Sequence, residues 1–416
     1  MSRKPLIYLA LLLLVGAFLV ATTFNQRSVQ AGNGNGQAVQ DQWIVTLKPD
    51  ANPHMMARGS GGNVIYVYEH AMKGFAVQLP AQAAMALLNN PNVLSVTPDR
   101  TVTIEGKPGG GGGTQPAQTI PTGIRRINGH TNSTLAGNGS GSVNVDVAII
   151  DTGIDIDHPD LNVVGGYNCQ RGSSYDDGNG HGTHVAGTIG ALDNTIGVVG
   201  VAPGARLWGV RVLNDRGSGT TSSVICGIDW VASQAATIEV ANMSLGGAGS
   251  DNACGGSDAE HNAICNAVNA GITFVVAAGN ENTDAANSTP AAFDEVITVS
   301  ALADFNGLAG GGAASTCRTD QDDSRADFSN YGADVDIMAP GVCINSTWMG
   351  GGYNTISGTS MASPHVAGAA ALYKANNPGA SPTQVKSALQ ISGNTDWNNS
   401  DDPDGIKERL LNVGGY

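Results

Sequence analysis

Gly358-Thr359-Ser360-Met361-Ala362-Ser363-Pro364-His365-Val366-Ala367-Gly368 is the stretch on which the reading of this chain turns. A serine stands just before a helix-length apolar segment, Val366 to Tyr373. At a helix N-terminus the first N–H groups have no intrahelical partner, and the helix dipole presents its positive end. Both stabilise negative charge developing on a carbonyl oxygen, and the small neighbours let a substrate come close. Taken alone, Ser360 is an ordinary helix N-cap. Ser363 and His365 read as structural.

Upstream, short, mostly apolar runs at 143–150, 206–212, 272–278 and 296–300 alternate with helix-length segments at 181–192, 221–236 and 258–270. Strands alternating with helices imply a parallel sheet covered on both faces. In such sheets functional groups gather at the carboxyl ends of strands. Asp151 follows the run Val147–Ile150 in Asp151-Thr152-Gly153, where a partly buried carboxylate can orient a histidine. His181 opens His181-Gly182-Thr183-His184-Val185-Ala186-Gly187, a helix start with glycines for close packing. Two histidines three apart lack the HExxH pattern of a zinc site, so His184 reads as structural. Asn280 ends Ala277-Ala278-Gly279-Asn280 directly after another strand, and its amide can donate to an oxyanion. Each of these alone is a cap or turn residue.

Together, Asp151-Thr152-Gly153-Ile154, the seven residues from His181 and the eleven from Gly358, in the order Asp, His, Ser, resemble the subtilisin family. The resemblance runs from about Gln118 to the C-terminus. It implies a three-layer α/β fold and a serine endopeptidase in which Ser360 attacks the scissile carbonyl and His181 moves the proton. Asp151 would hold the imidazole, and Asn280 with the Ser360 N–H would bind the oxyanion. It further implies that Ser244-Leu245-Gly246-Gly247 forms the substrate-binding strand and, with Ala277, Ala278 and Gly279, lines a primary pocket favouring bulky apolar side chains. Leu192-Asp193-Asn194-Thr195-Ile196-Gly197-Val198 resembles the family's calcium loop. A structural calcium would take backbone oxygens of Leu192, Ile196 and Val198, side-chain oxygens of Asn194 and Asp160, and Gln118, a mixed oxygen set suited to a hard cation. A catalytically inactive binding protein on the same fold, and an esterase, are the alternatives. No GxSxG elbow is present; the nearest segment, Gly358-Thr359-Ser360-Met361-Ala362, belongs to the longer Ser360 motif.

Ahead of this body lies a small α+β unit, 42–106, with strand patterns at Trp43–Leu47, Val64–Tyr68, Gly74–Leu79 and Val93–Val96 and a helix pattern at 81–88. It resembles the inhibitor-like propeptide of the same family, although the segment between Pro49 and Asn63 is short for that propeptide's first helix. Its core is marginal for independent stability. Residues 32–41 read as a flexible spacer. Residues 107–116, with five consecutive glycines at 109–113, read as a cleavable linker. The peptidase unit is then 117–416. Ala117-Gln118-Thr119-Ile120-Pro121 resembles the start of mature enzymes, so maturation is expected between Gly106 and Ala117.

Arg3 and Lys4 precede the apolar run Leu6–Ala21, and Val29-Gln30-Ala31 offers small residues for cleavage. This is the pattern of a signal peptide over 1–31 and of a secreted, extracellular product. The run is also long enough for a tilted span, so an uncleaved anchor is the alternative. Net charge is −15 and unevenly spread: 12 Lys+Arg against 30 Asp+Glu from Ala117 onward, 8 against 5 before it. An acidic mature body argues against nucleic acid or anionic membrane as partner. Protein and peptide substrates and the chain's own propeptide are the expected partners, and a monomer the expected state. All six cysteines follow the leader, which favours disulfides. Of fifteen pairings, Cys254–Cys265 is favoured because it closes a short polar loop. Cys317–Cys343 is second, and Cys169–Cys226 remains.

Overall fold

The computed structural model describes residues 36–104, 115–398 and 402–416. The expected leader at 1–31 and most of the expected linker lie outside these residues.

The central sheet is parallel. Its order is Val163–Asn168, Arg206–Arg211, Asp146–Asp151, Val240–Met243, Thr273–Ala277, Ile297–Ala303, and Ile337–Pro340 pairs with the last of these; the short Ser324–Arg325 strand joins antiparallel. Alternation along one strand produces the layers. Val147 and Ile149 enter one apolar cluster with Val185, Ile189, Val366 and Ala370, from the helices His181–Gly190 and Thr359–Asn376. Ala148 and Ile150 enter the other with Val224, Ile228, Ala263 and Ile264, from the helices Thr221–Ser233 and Ala259–Asn269. Successive side chains of a strand point to opposite faces, so a run apolar at every position is buried on both.

The N-terminal unit is an antiparallel sheet of Ala38–Leu47, Asn63–Tyr68, Gly74–Gln78 and Val93–Ile104. Val45, Phe75 and Val77 face its own short helices. Ile44, Tyr68, Ala76 and Val102 face the outer helices of the large unit. The short segment after Pro49 does hold a helix, Pro53–Gly59, started by Asn52, whose side chain accepts from Met55 N, and by Pro53 at its first turn. Two expectations change. The spacer ends earlier than residue 41, because Ala38 already pairs with Arg100. The last strand runs to Ile104 rather than Val96, because its far end finds partners outside its own unit.

The favoured pair Cys254–Cys265 forms, as do the second choice Cys317–Cys343 and the remaining pair Cys169–Cys226.

Candidate active site

Strand ends of the parallel sheet bring the separated motifs together. Asp151 closes the strand Asp146–Asp151, Ser244 follows Val240–Met243, and Ala278 to Asn280 follow Thr273–Ala277. The helices from His181 and Thr359 pack against each other beneath them. Asp151, His181 and Ser360 are each fully buried with the N-terminal unit in place.

The His181 ring nitrogen Nδ1 lies 2.8 Å from Asp151 Oδ1, and Thr152 N donates to the same oxygen at 2.7 Å. With Nδ1 as donor, Nε2 presents a lone pair, and among the described residues it has no hydrogen-bond partner. The Ser360 hydroxyl donates to the Ser244 carbonyl at 3.1 Å, so it must turn away from that carbonyl to reach His181. The Asn280 Oδ1 accepts from Thr359 N at 2.9 Å and Thr359 Oγ1 at 3.1 Å. That fixes its amide so that Nδ2 is the group offered as a donor.

Several residues that build this geometry carry no signal of their own in the sequence. Asp177 accepts from Thr152 Oγ1, from the N–H groups of Asn179, Gly180 and Thr183, and from Thr183 Oγ1, all at 2.6–3.0 Å. It thereby joins the Asp151 loop to the start of the His181 helix. Gly182 permits that closeness: a Cβ there would stand 2.1 Å from the Gly153 carbonyl oxygen. A second chain runs from Ser363 Oγ to Asn242 Oδ1 (2.7 Å), from Asn242 Nδ2 to Ser244 Oγ (2.9 Å), and from Ser244 Oγ to the Ser360 carbonyl (2.9 Å). Ser363 is structural, as expected. So are His184, bonded to the Ile344 carbonyl and held down to about 3 by burial, and His365, bonded to the Met361 carbonyl and held down to about 4 by burial.

The groove leading to Ser360 is bounded by two edge strands, Leu245–Ala248 and Ser218–Thr220. The end of Val93–Ile104 lies between them, antiparallel to both, with Ile104 opposite Leu245, Thr103 opposite Gly246 and Ser218, and Thr101 opposite Thr220. Gly247 leaves that side of the groove open, since a Cβ there would meet nothing nearer than 3.9 Å. Two carboxylates anchor the N-terminal unit. Asp229 accepts from the backbone N–H groups of Glu69, His70 and Ala71, and Asp99 accepts from Ser222 N and Ser222 Oγ at the start of an outer helix.

The residues of the expected calcium loop also converge. Asp160 accepts from Asn194 Nδ2 (2.7 Å), Val198 N and Tyr353 OH (both 3.1 Å), and burial pushes it up to about 6. Gln118 Oε1 accepts from Asn194 N at 2.6 Å. Among the described residues the carbonyls of Leu192, Ile196 and Val198 accept no hydrogen bond from the protein. Unclaimed carbonyls along one loop beside a buried carboxylate fit a hard divalent cation.

The family model for the subtilase family matches residues 142–405, and the model for peptidase inhibitor I9 matches residues 40–105. Subtilisin DY of Bacillus licheniformis is 45% identical over 66% of this chain and 91% of its own length. Subtilisin J of Geobacillus stearothermophilus is 36% identical over 93% of each. A crystal structure of a cold-adapted subtilisin-like serine proteinase, 40% identical, covers 70% of this chain and 97% of its own with a TM-score of 0.57.

Proposed function

We propose, from the premise that this chain belongs to the subtilase family of serine peptidases, that Asp151, His181 and Ser360 are its catalytic triad and Asn280 its oxyanion donor. The chain is a serine endopeptidase made as a zymogen with an I9 propeptide and autoprocessed.

One observation carries the assignment. Residues 101–104 lie extended between two edge strands beside Ser244, whose carbonyl touches the Ser360 hydroxyl. A peptide substrate laid in the same groove delivers its carbonyl to Ser360 by main-chain pairing, so affinity is sequence-tolerant and side-chain pockets set preference. Val102, 6% exposed, and Ile104 in this groove support a preference for apolar side chains, as do Ala277, Ala278 and Gly279 at the primary pocket. In the reaction Ser360 Oγ turns from Ser244 to His181 Nε2, gives up its proton there and bonds to the carbonyl carbon. The oxyanion meets Asn280 Nδ2 and the Ser360 N–H. His181 then protonates the leaving amine, and water repeats the cycle on the acyl-enzyme.

Residues 42–106 assist folding and block the cleft until cleavage in the linker at 107–116, and the leader directs secretion. Among the described residues no helix is long and apolar enough to cross a membrane. Calcium, held by Gln118, Asp160, Asn194 and the Leu192, Ile196 and Val198 carbonyls, would tie the start of the mature chain to the 192–198 loop.

The test is peptide release from denatured casein by the purified protein in calcium, beside Ser360→Ala prepared identically. Activity in the first alone is expected, and equal activity in both would refute Ser360 as nucleophile. Ready, rapid folding of residues 117–416 without the propeptide would refute its role in folding.

A further inference from the structure

The C-terminal loop concentrates negative charge that the fold itself does not neutralise. Glu408 is 6% exposed, and among the described residues both its carboxylate oxygens are buried without a hydrogen-bond partner. Both oxygens of Asp402 are in the same state. Asp404 stands two residues on, one residue before a turn at Gly405 (φ +71°), and its charge adds to that of Asp402. Burial pushes Glu408 up to about 8 and Asp402 up to about 6, with repulsion from Asp404 adding in both cases.

An unpaired buried carboxylate is expensive unless a cation or donors meet it. The available cations are engaged elsewhere. The Arg325 guanidinium lies near enough to favour both carboxylates, yet it forms no ion pair with either, and its side chain donates to the Ala326 and Ser329 carbonyls and to Asn282 Oδ1. Lys407 Nζ lies over the Trp397 ring, 5.3 Å from its centroid. Glu408 is not free to swing out to water, because Trp397 Nε1 donates to its carbonyl at 2.9 Å and the next residues pair with the sheet, Leu410 with Asn394 and Met338.

We infer that Glu408, Asp402 and Asp404 form a second divalent-cation site, selective for a hard ion of the calcium class, which clamps the C-terminal loop to the body of the enzyme. The set is oxygen-only and carries two negative charges beyond Arg325, the chemistry that such an ion takes. Among the described residues the three carboxylates do not all lie within 4.8 Å of one another, so binding would draw the Asp402–Gly405 turn onto Glu408. The site is separate from the 192–198 loop and uses none of its residues.

The experiment counts bound Ca2+ by equilibrium dialysis on the full chain carrying Ser360→Ala, with Mg2+ as competitor. Glu408→Gln and Asp402→Asn are each expected to lose one equivalent, Asp160→Asn a different one, and Asp160→Asn with Glu408→Gln both. Calcium should raise the melting temperature less in Glu408→Gln than in the parent. Without calcium Glu408→Gln should melt no lower than the parent, since it removes a buried carboxyl that no donor meets. Unchanged stoichiometry and affinity in both Glu408→Gln and Asp402→Asn would overturn the site, whatever Asp160→Asn does. Should Glu408→Gln fail to fold, Asp402→Asn on the half-buried turn decides alone.

Discussion

Ser244 and Ser360 hold each other at both ends: Ser244 Oγ donates to the Ser360 carbonyl at 2.9 Å, and Ser360 Oγ donates to the Ser244 carbonyl at 3.1 Å. The cause lies four residues on. Pro364 stands inside the helix Thr359–Asn376 and has no N–H, so the Ser360 carbonyl lacks its helical donor. Ser244 supplies it. The nucleophile is thereby tied to the strand that receives substrate.

Ser244→Ala therefore leaves a buried carbonyl without a partner. A loss of about 1–3 kcal/mol in unfolding free energy is expected, with a fall in kcat larger than any rise in KM because the nucleophile is displaced. Adding Pro364→Ala restores a helical N–H to Ser360, so the double variant should lose less stability than the two single losses together. Urea unfolding of the four proteins in a Ser360→Ala background checks this; strict additivity would refute the link.

Asp151→Asn keeps the shape of the site but offers His181 an amide instead of an acceptor carboxylate. A drop in kcat of roughly 10^4 is expected, the size associated with loss of the correct tautomer. Steady-state kinetics on a peptide amide measures it. A drop under about tenfold would mean that the 2.8 Å contact of His181 with Asp151 does not govern the reaction.

Asp229 gathers three backbone N–H groups of the propeptide, and after exchange with water at the released carboxylate their combined net contribution is of the size of one charged hydrogen bond, about 1.5–3 kcal/mol. Asp229→Ala should weaken inhibition of the mature enzyme by added propeptide by roughly 10- to 100-fold and leave kcat unchanged. Inhibition constants measured side by side decide it.

Glu260 lines a cavity between the units with Ile44, Thr97, Pro98 and Arg100 of the propeptide, and burial, with Asp258 adding, pushes it up to about 8. Once the propeptide leaves, water reaches this carboxyl and its value falls toward the ordinary range. The complex thus holds a proton that the free enzyme releases. Propeptide affinity is fully present below about pH 4.5 and declines as pH rises through about 8, by up to tenfold per unit. Glu260→Gln should flatten that profile. An identical slope in the variant would assign the dependence elsewhere.

His184 has the opposite sign. Burial holds it down to about 3, whereas in the unfolded chain it takes up a proton near 6.5. Its contribution to stability is present above about 6.5 and is lost as pH falls toward 3, at about 1.4 kcal/mol per unit. Denaturant midpoints of the Ser360→Ala chain from pH 7 to 4 should fall accordingly, and a flat profile would contradict it.

Sequence alone determined the features that are local. Asp151, His181, Asn280 and Ser360 stand in motifs whose neighbours set the strand end or helix start that each needs, and short, mostly apolar runs marked strands buried on both faces. Cys254 and Cys265, eleven apart, were legible as a pair for the same reason. Tertiary structure decided what depends on partners far along the chain. Ser244 meets Ser360 across 116 residues, Asp229 meets the 69–71 amides across about 160, and the strand Val93–Ile104 extends to Ile104 only because Leu245 and Ser218 lie ready on either side. Hydrogen bonds between polar residues leave no periodicity for a reader to find, since a serine or aspartate that will be buried and one that will be solvated look alike until the chain has folded around them.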